Sequence, residues 1–143
     1  MNQSSAYAAY RSAEIETVSQ KELIVQLYQG AERFLTTGHE AMSGQRYEEA
    51  TNQCRRARNI FVELLSTLNF EAGGDLAHQL RELYAFLIFQ IGEASLKRDP
   101  AQIIAVIPII KTLREGWEAV PDEHANLTSI PDGNQGHNLN LRC

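Results

Sequence analysis

One apolar seam constrains the fold of this chain more than any other feature of its sequence. Between residues 47 and 68, apolar side chains recur in alternating steps of three and four residues without a miss. This spacing has a mean period of about 3.5 residues, which is typical of helices that pack side by side in a left-handed bundle. The seam therefore predicts a long helix with other helices against it. Its members are Tyr47, Ala50, Cys54, Ala57, Phe61, Leu64 and Leu68.

A second helical segment precedes the seam. It begins at Ser19, which forms a capping box with Glu22, and its predicted end is Gly44. Its apolar stripe contains Tyr28, whose hydroxyl is a polar tip on an apolar face. It also contains Gly30, and glycine in a helix interior costs about 1 kcal/mol relative to alanine. We therefore ask which group lies close enough to this helix to favour a missing side chain.

A third helix follows the breaker formed by Gly73 and Gly74. Asp75 is its predicted N-cap, and the basic residue Lys97 near its end suits the negative end of the helix dipole. Its apolar stripe predicts the face that contacts the other helices. The members of that stripe are Leu76, Leu80, Leu83, Tyr84, Leu87, Ile91 and Ala94.

A fourth helix opens with Asp99 as its cap and Pro100 at its first position, and it continues to about Val120. Strand signals are weak, because valine and isoleucine fall mostly at helical spacing. Four helices of about 20 residues joined by short links predict an all-α fold, an antiparallel up-down four-helix bundle.

The bundle is predicted to span residues 19–120, with a different kind of segment on each side. Residues 1–18 are small and polar with three isolated apolar anchors, Tyr7, Tyr10 and Ile15. They predict a mobile segment that docks on an apolar groove, or alternatively a frayed terminus. Residues 121–143 are rich in Pro, Asp, Asn, Gly and His, which predicts a disordered tail.

Charge and hydropathy exclude several classes of function. The net charge of −5 argues against non-specific nucleic-acid binding, which requires a basic surface. The sequence contains no apolar run of 18 residues, so no membrane insertion is expected. The N-terminus lacks the basic and apolar regions of a secretory signal. The placement of Cys54 and Cys143 disfavours a structural disulfide, and a reducing cytoplasm fits this.

No group of residues predicts an active site, a metal site or a cofactor. The nearest approach to a metal motif is the single pair Asp75 and His78, in which the aspartate is explained as a cap. Cys54 lies on the seam and is predicted to be a small buried hydrophobe. Arg55, Arg56 and Arg58 form a basic cluster that is either a solvated helix face or a contact for an acidic partner.

Helices 3 and 4 carry more apolar residues than one core stripe requires. Residues 83–91 and 103–110 are apolar almost throughout, and Phe86 and Phe89 fall outside the stripe of helix 3. One interpretation is a wide core stripe. The other is an exposed groove, which on a monomer marks a partner-binding site or an oligomer interface. The sequence leaves a partner groove and a homodimer face both open.

The order and spacing of short motifs between Ala6 and Val120 resemble the flagellar export chaperones that bind flagellin, the FliS family. The motifs are Ala6-Tyr7 with Tyr10; Ser19 with Glu22-Leu23-Ile24, Leu27-Tyr28 and Gly30-Ala31; Ile60 with Glu63-Leu64 and Leu68; Gly73-Gly74; Leu80 with Leu83-Tyr84; Ala94 with Asp99; and Leu113-Arg114-Glu115 with Trp117. Gln20, Ser95, Pro108 and the apolar middle of helix 3 depart from the family pattern.

The resemblance implies a non-enzymatic chaperone of the bacterial cytoplasm. Its client would be the C-terminal segment of newly made flagellin, which it keeps from early polymerisation and helps deliver to the flagellar type III export apparatus. The export gate is a second candidate partner, and the expected state is a monomer or weak dimer. In this family the N-terminal segment can occupy part of the client site. The alternative is a homodimeric structural or regulatory protein that binds another flagellar factor.

The candidate partner-binding residues combine the N-terminal anchors, one face of the first helix and the surplus apolar residues of helices 3 and 4. They are Tyr7, Tyr10, Ile15, Leu23, Leu27, Tyr28, Gly30, Phe86, Phe89 and Ile104.

Overall fold

Four helices account for nearly all of residues 19–121, which are the residues that this computed structural model describes. The predictions for residues 1–18, including Tyr7, Tyr10 and Ile15, and for the tail from residue 122 lie outside the described residues. The helices are α1 Gln20–Ser43, α2 Tyr47–Ser66, α3 Phe70–Lys97 and α4 Pro100–Ala119.

The four helices pack in a ring, in which α1 and α3 each contact both α2 and α4. Because only two or three residues link consecutive helices, neighbours run antiparallel. The ring closes where the start of α1 meets the end of α4. There the Lys21 ammonium donates to the carbonyl oxygens of Glu118 at 3.3 Å and Val120 at 2.8 Å. The prediction of an all-α four-helix bundle is confirmed.

The predicted caps of α1 and α4 are confirmed. The Ser19 hydroxyl accepts from the Glu22 amide at 3.1 Å, and the Glu22 carboxylate accepts from the Ser19 amide at 3.0 Å. Asp99 accepts from the amide of Ala101 at 3.1 Å, and Pro100 occupies the first turn. Gly44 ends α1. These caps satisfy amides that have no partner inside a helix.

The predicted breaker is confirmed as a kink at Gly74, but the third helix starts one turn before its predicted N-cap Asp75. The helix begins at Phe70, and Asn69 is its cap, with its side-chain oxygen accepting from the amide of Ala72 at 3.0 Å. Gly74 then breaks the helical geometry, with φ 55° and ψ −132°, a conformation that favours glycine. A single helical turn therefore precedes the kink. Leu76, just after the kink, is 48% exposed and does not join the core.

The predicted seam of α2 is confirmed as the centre of the core. Its members from Ala50 to Leu68 are all buried, and Tyr47 is half-buried beneath the guanidinium of Arg98, 4.2 Å from the ring centroid. Cys54 is a buried free thiol, as predicted, and burial raises its pKa to about 11. A neutral thiol in this position packs as a small apolar side chain.

A hydrogen bond between two tyrosines lies inside the core. The hydroxyls of Tyr28 on α1 and Tyr84 on α3 are 2.5 Å apart, and one donates to the other. Both rings also pack on Phe61 of α2, with centroid distances of 6.3 Å and 5.9 Å. Burial raises the pKa of Tyr84 to about 12 and raises that of Tyr28 as well. The pair is therefore neutral, and each hydroxyl provides the partner that a buried polar group requires.

We expect Tyr28→Phe to lower the free energy of unfolding by about 1–3 kcal/mol, because the Tyr84 hydroxyl would remain buried without its partner. The double variant Tyr28→Phe/Tyr84→Phe should lose less than the sum of the two single variants, because it removes both polar groups. Urea unfolding of the four proteins measures the difference. Additive losses would show that the two hydroxyls do not depend on each other.

Candidate partner-binding site

The structure places the candidate residues of α1 inside the bundle. Leu23 and Leu27 are buried against the core, and the Tyr28 side chain is fully enclosed with its hydroxyl bonded to Tyr84. Leu23 and Leu27 keep a small exposed fraction, and Leu27 lines a groove between α1 and α2, whereas Tyr28 has no exposed surface. Within the described bundle, Tyr28 thus acts as an internal packing and hydrogen-bonding residue. A role of Leu23, Leu27 and Tyr28 in partner binding stays a prediction.

Gly30 lies beside a shallow groove of about 270 Å³ between α1 and α2, where Ile60 lies opposite. A β-carbon on Gly30 would lie 3.5 Å from Cδ1 of Ile60, which is ordinary van der Waals contact. The tight approach of these two helices is instead at Gly38. A β-carbon there would lie only 3.3 Å from Cβ of Gln53 and 3.6 Å from Sγ of Cys54. The packing of α1 on α2 therefore requires glycine at residue 38 more than at residue 30.

The candidate residues of α3 and α4 are on the surface. Phe86 is 45% exposed, Phe89 is 59% exposed and Ile104 on α4 is 47% exposed. The interpretation of a wide core stripe therefore does not apply to these three side chains. Of the three, Phe89 lines a groove between α2 and α3.

The α2–α3 groove has a volume of about 520 Å³. The buried side chains Cys54 and Ile91 are among its lining, and Phe89 and Leu96 form an exposed apolar wall on the α3 side. Leu96 is 86% exposed, which is the largest exposed fraction of any large hydrophobic side chain among residues 19–121. An open apolar groove between two helices fits the apolar face of a third helix. Its lining residues are Thr51, Cys54, Arg55, Arg58, Ile88, Phe89, Ile91, Gly92, Glu93, Ser95 and Leu96.

The two walls of the α2–α3 groove differ in charge. The α2 wall carries the cations Arg55 and Arg58. The α3 wall is apolar except for Ser95 and for Glu93, whose carboxylate is 3.1 Å from the Lys97 ammonium. The candidate list from the sequence did not include Leu96 or these arginines. Leu96 lies seven residues after Phe89, which is the helical signal that could have identified it.

An ion-pair cluster joins α1 to α4 on the other side of the bundle. The guanidinium of Arg114 donates to Glu32 at 2.6 Å and 3.4 Å and to Glu118 at 3.2 Å. The hydrogen bond to Glu32 raises the pKa of Arg114. Since Arg114 and Glu32 are partly buried and bonded to each other, this cluster positions α4 on α1.

Within residues 19–121, no three His, Cys, Asp or Glu side chains are grouped closely enough to hold a metal ion. In the same part of the chain, no helix has the length and hydropathy needed to cross a membrane.

A family model described as "Flagellar protein FliS" matches residues 2–124 of this sequence. The chain belongs to the FliS family. Each of three similar proteins is named a flagellar secretion chaperone FliS. The one from Vibrio cholerae is 32% identical over 121 residues, which are 85% of this chain and 89% of the relative. The one from Campylobacter jejuni is 34% identical over 120 residues, covering 84% and 94% of the two chains. The one from Bacillus subtilis is 25% identical over 112 residues, covering 78% and 83%.

Membership of the FliS family makes this chain a flagellar export chaperone and not an enzyme. It also implies a protein partner that takes part in flagellar export. The α2–α3 groove is an open apolar groove between two helices of this bundle.

We expect alanine at the two glycines of α1 to act in opposite directions. Gly30→Ala should raise the melting temperature by a few degrees, because alanine favours the helix and its methyl group fits beside Ile60. Gly38→Ala should lower it, because the methyl group would press on Gln53 of α2. Thermal unfolding followed by circular dichroism measures both. A shift of the same sign in both variants would contradict this account of helix packing.

Proposed function

We propose that this chain binds the C-terminal segment of flagellin, prevents its premature polymerisation and assists its delivery to the flagellar type III export apparatus. Membership of the FliS family supports an export-related protein client. The observation that carries the proposal is the α2–α3 groove, in which Phe89 and Leu96 remain exposed although the bundle itself is complete.

The proposed mechanism is masking. A flagellin segment that packs helix to helix in the filament has an apolar stripe, and the same stripe fits an apolar groove between helices. While the groove covers that stripe, another flagellin has no access to it. Burial of apolar surface supplies about 25 cal/mol per Å², so the apolar wall of the groove favours binding without any chemical step.

A longer contact than one groove is needed to order a flexible client. Coupled folding and binding costs about 2–5 kcal/mol of the interaction energy, so a large interface has to offset it. Phe86 and Ile104 offer further apolar surface outside the α2–α3 groove. We therefore propose a client that wraps around the bundle and contacts α3 and α4 as well as the groove.

We place the chain in the bacterial cytoplasm as a monomer or weak dimer, with the export gate as a further partner. Tyr7, Tyr10 and Ile15 are proposed to occupy part of the client site when no client is bound. Gly30, beside the groove between α1 and α2, is proposed to leave room for a neighbouring chain.

Co-purification with the flagellin of the same organism tests the proposed function. Full-length flagellin should be retained on the immobilised chaperone, and flagellin lacking its last ~40 residues should be lost, a length able to bury over about 1,000 Å². Flagellin shortened by the same length at its N-terminus is the matched control and should be retained. Retention of the C-terminally shortened protein, or loss of both shortened proteins, would contradict a C-terminal binding segment.

A further inference from the structure

Arg58 lines the α2–α3 groove and has no counter-ion among residues 19–121. Its side chain is half-buried, and its Nη1 lies 3.5 Å from the position that a β-carbon on Gly92 would occupy. No hydrogen bond or ion pair within residues 19–121 holds its guanidinium, whereas Arg46 and Arg114 have acidic partners. A partly desolvated guanidinium gains from a carboxylate that binds beside it.

The acidic side chain among the lining residues of the groove already has a partner. Glu93 lines the same groove, but its carboxylate is paired with Lys97 one turn further along α3. Arg55, one turn from Arg58 on α2, donates only to the side-chain amide of Asn52, at 2.9 Å. The α2 wall therefore presents two adjacent cations that no carboxylate of the described bundle neutralises.

Because the two walls of the groove differ in charge, the groove can favour one direction of a bound helix over the other. A helix whose apolar stripe enters the groove turns one flank to the arginines of α2 and the other to Phe89 and Leu96 on α3. Reversing such a helix end for end exchanges its flanks. If carboxylates lie on one flank, only one of the two directions brings them to the arginines, and the other leaves them against an apolar wall.

We propose that Arg58, assisted by Arg55, is a specificity-determining residue that pairs with an Asp or Glu on one flank of an amphipathic client helix and so fixes its direction in the α2–α3 groove. The occupant is a helix with an apolar stripe and an acidic flank. This inference rests on the proposed function, since it takes the client to be the C-terminal segment of flagellin.

Charge reversal at two arginines of α2 tests this assignment. Arg58→Glu places a carboxylate in the groove. Arg56→Glu changes the net charge by the same amount on another face of α2, where Arg56 lies over the Phe34 ring at 5.7 Å from its centroid.

Calorimetric titration with the C-terminal segment of flagellin should show that Arg58→Glu binds more weakly than the unmodified chain, by about tenfold or more. Arg56→Glu should stay within about threefold of the unmodified chain. Added salt should weaken binding by the unmodified chain more than by Arg58→Glu.

A client variant and a milder substitution complete the test. Replacing the acidic flank residues of the flagellin segment with lysine should weaken its binding to the unmodified chain and restore binding to Arg58→Glu. If circular dichroism shows that Arg58→Glu is unfolded, Arg58→Gln replaces it, with a loss of about threefold or more expected for an unpaired carboxylate.

Equal effects of Arg58→Glu and Arg56→Glu, with no rescue by the lysine segment, would overturn the role of Arg58 and leave the proposed function intact. Failure of the unmodified chain to bind the segment at all would instead overturn the proposed function, and with it the inference that depends on it.

Discussion

Each helix of a four-helix bundle can bury one face against its neighbours. The helix α3, however, carries apolar residues on more than one face. Its core face, which includes Tyr84 and Leu87, is fully buried against the seam of α2. No room remains in that core for Phe89 or Leu96, which line the α2–α3 groove instead. The bundle therefore completes its own core and still exposes apolar surface, and the proposed chaperone function depends on that surplus.

The core fixes the position of this groove. Tyr28, Phe61 and Tyr84 join α1, α2 and α3 through ring contacts and one buried hydrogen bond. A polar pair at the centre favours one arrangement of the helices, because any shift that separates the hydroxyls leaves both of them buried without a partner. Phe61 of α2 packs on Tyr84 of α3 in this cluster, so the cluster also joins the two helices that line the groove. We regard the site as a preformed feature of the fold, although the client that occupies it has to become ordered.

Local signals in the sequence predicted most of the fold. The capping box of Ser19, the Asp99 cap and the seam of α2 depend on residues within one or a few helical turns, and the structure confirms them. The start of α3 was mispredicted because Asn69 and Asp75 are both good caps, and the choice between them depends on the backbone at Gly74. Sequence spacing alone contains no information about that backbone conformation.

The candidate site was harder to predict, because it depends on contacts between distant residues. Tyr28 and Tyr84 are 56 positions apart, so their hydrogen bond could not be inferred from either helix alone. Phe89 was identified from the surplus of apolar residues on α3. Leu96 was not included, and Arg58 was noted only as part of a basic cluster, because their joint importance comes from lying on opposite walls of one groove, which requires knowing how α2 and α3 are placed.

We propose above all that the flagellin segment covers the apolar wall of the α2–α3 groove. Isothermal titration calorimetry at several temperatures measures this most directly, because burial of apolar surface gives a negative heat-capacity change. We expect a strongly negative value for the unmodified chain, and a smaller one with weaker binding for Phe89→Asp, a change at a side chain that is 59% exposed. A heat-capacity change near zero, or values and affinities that are the same for both proteins, would contradict it.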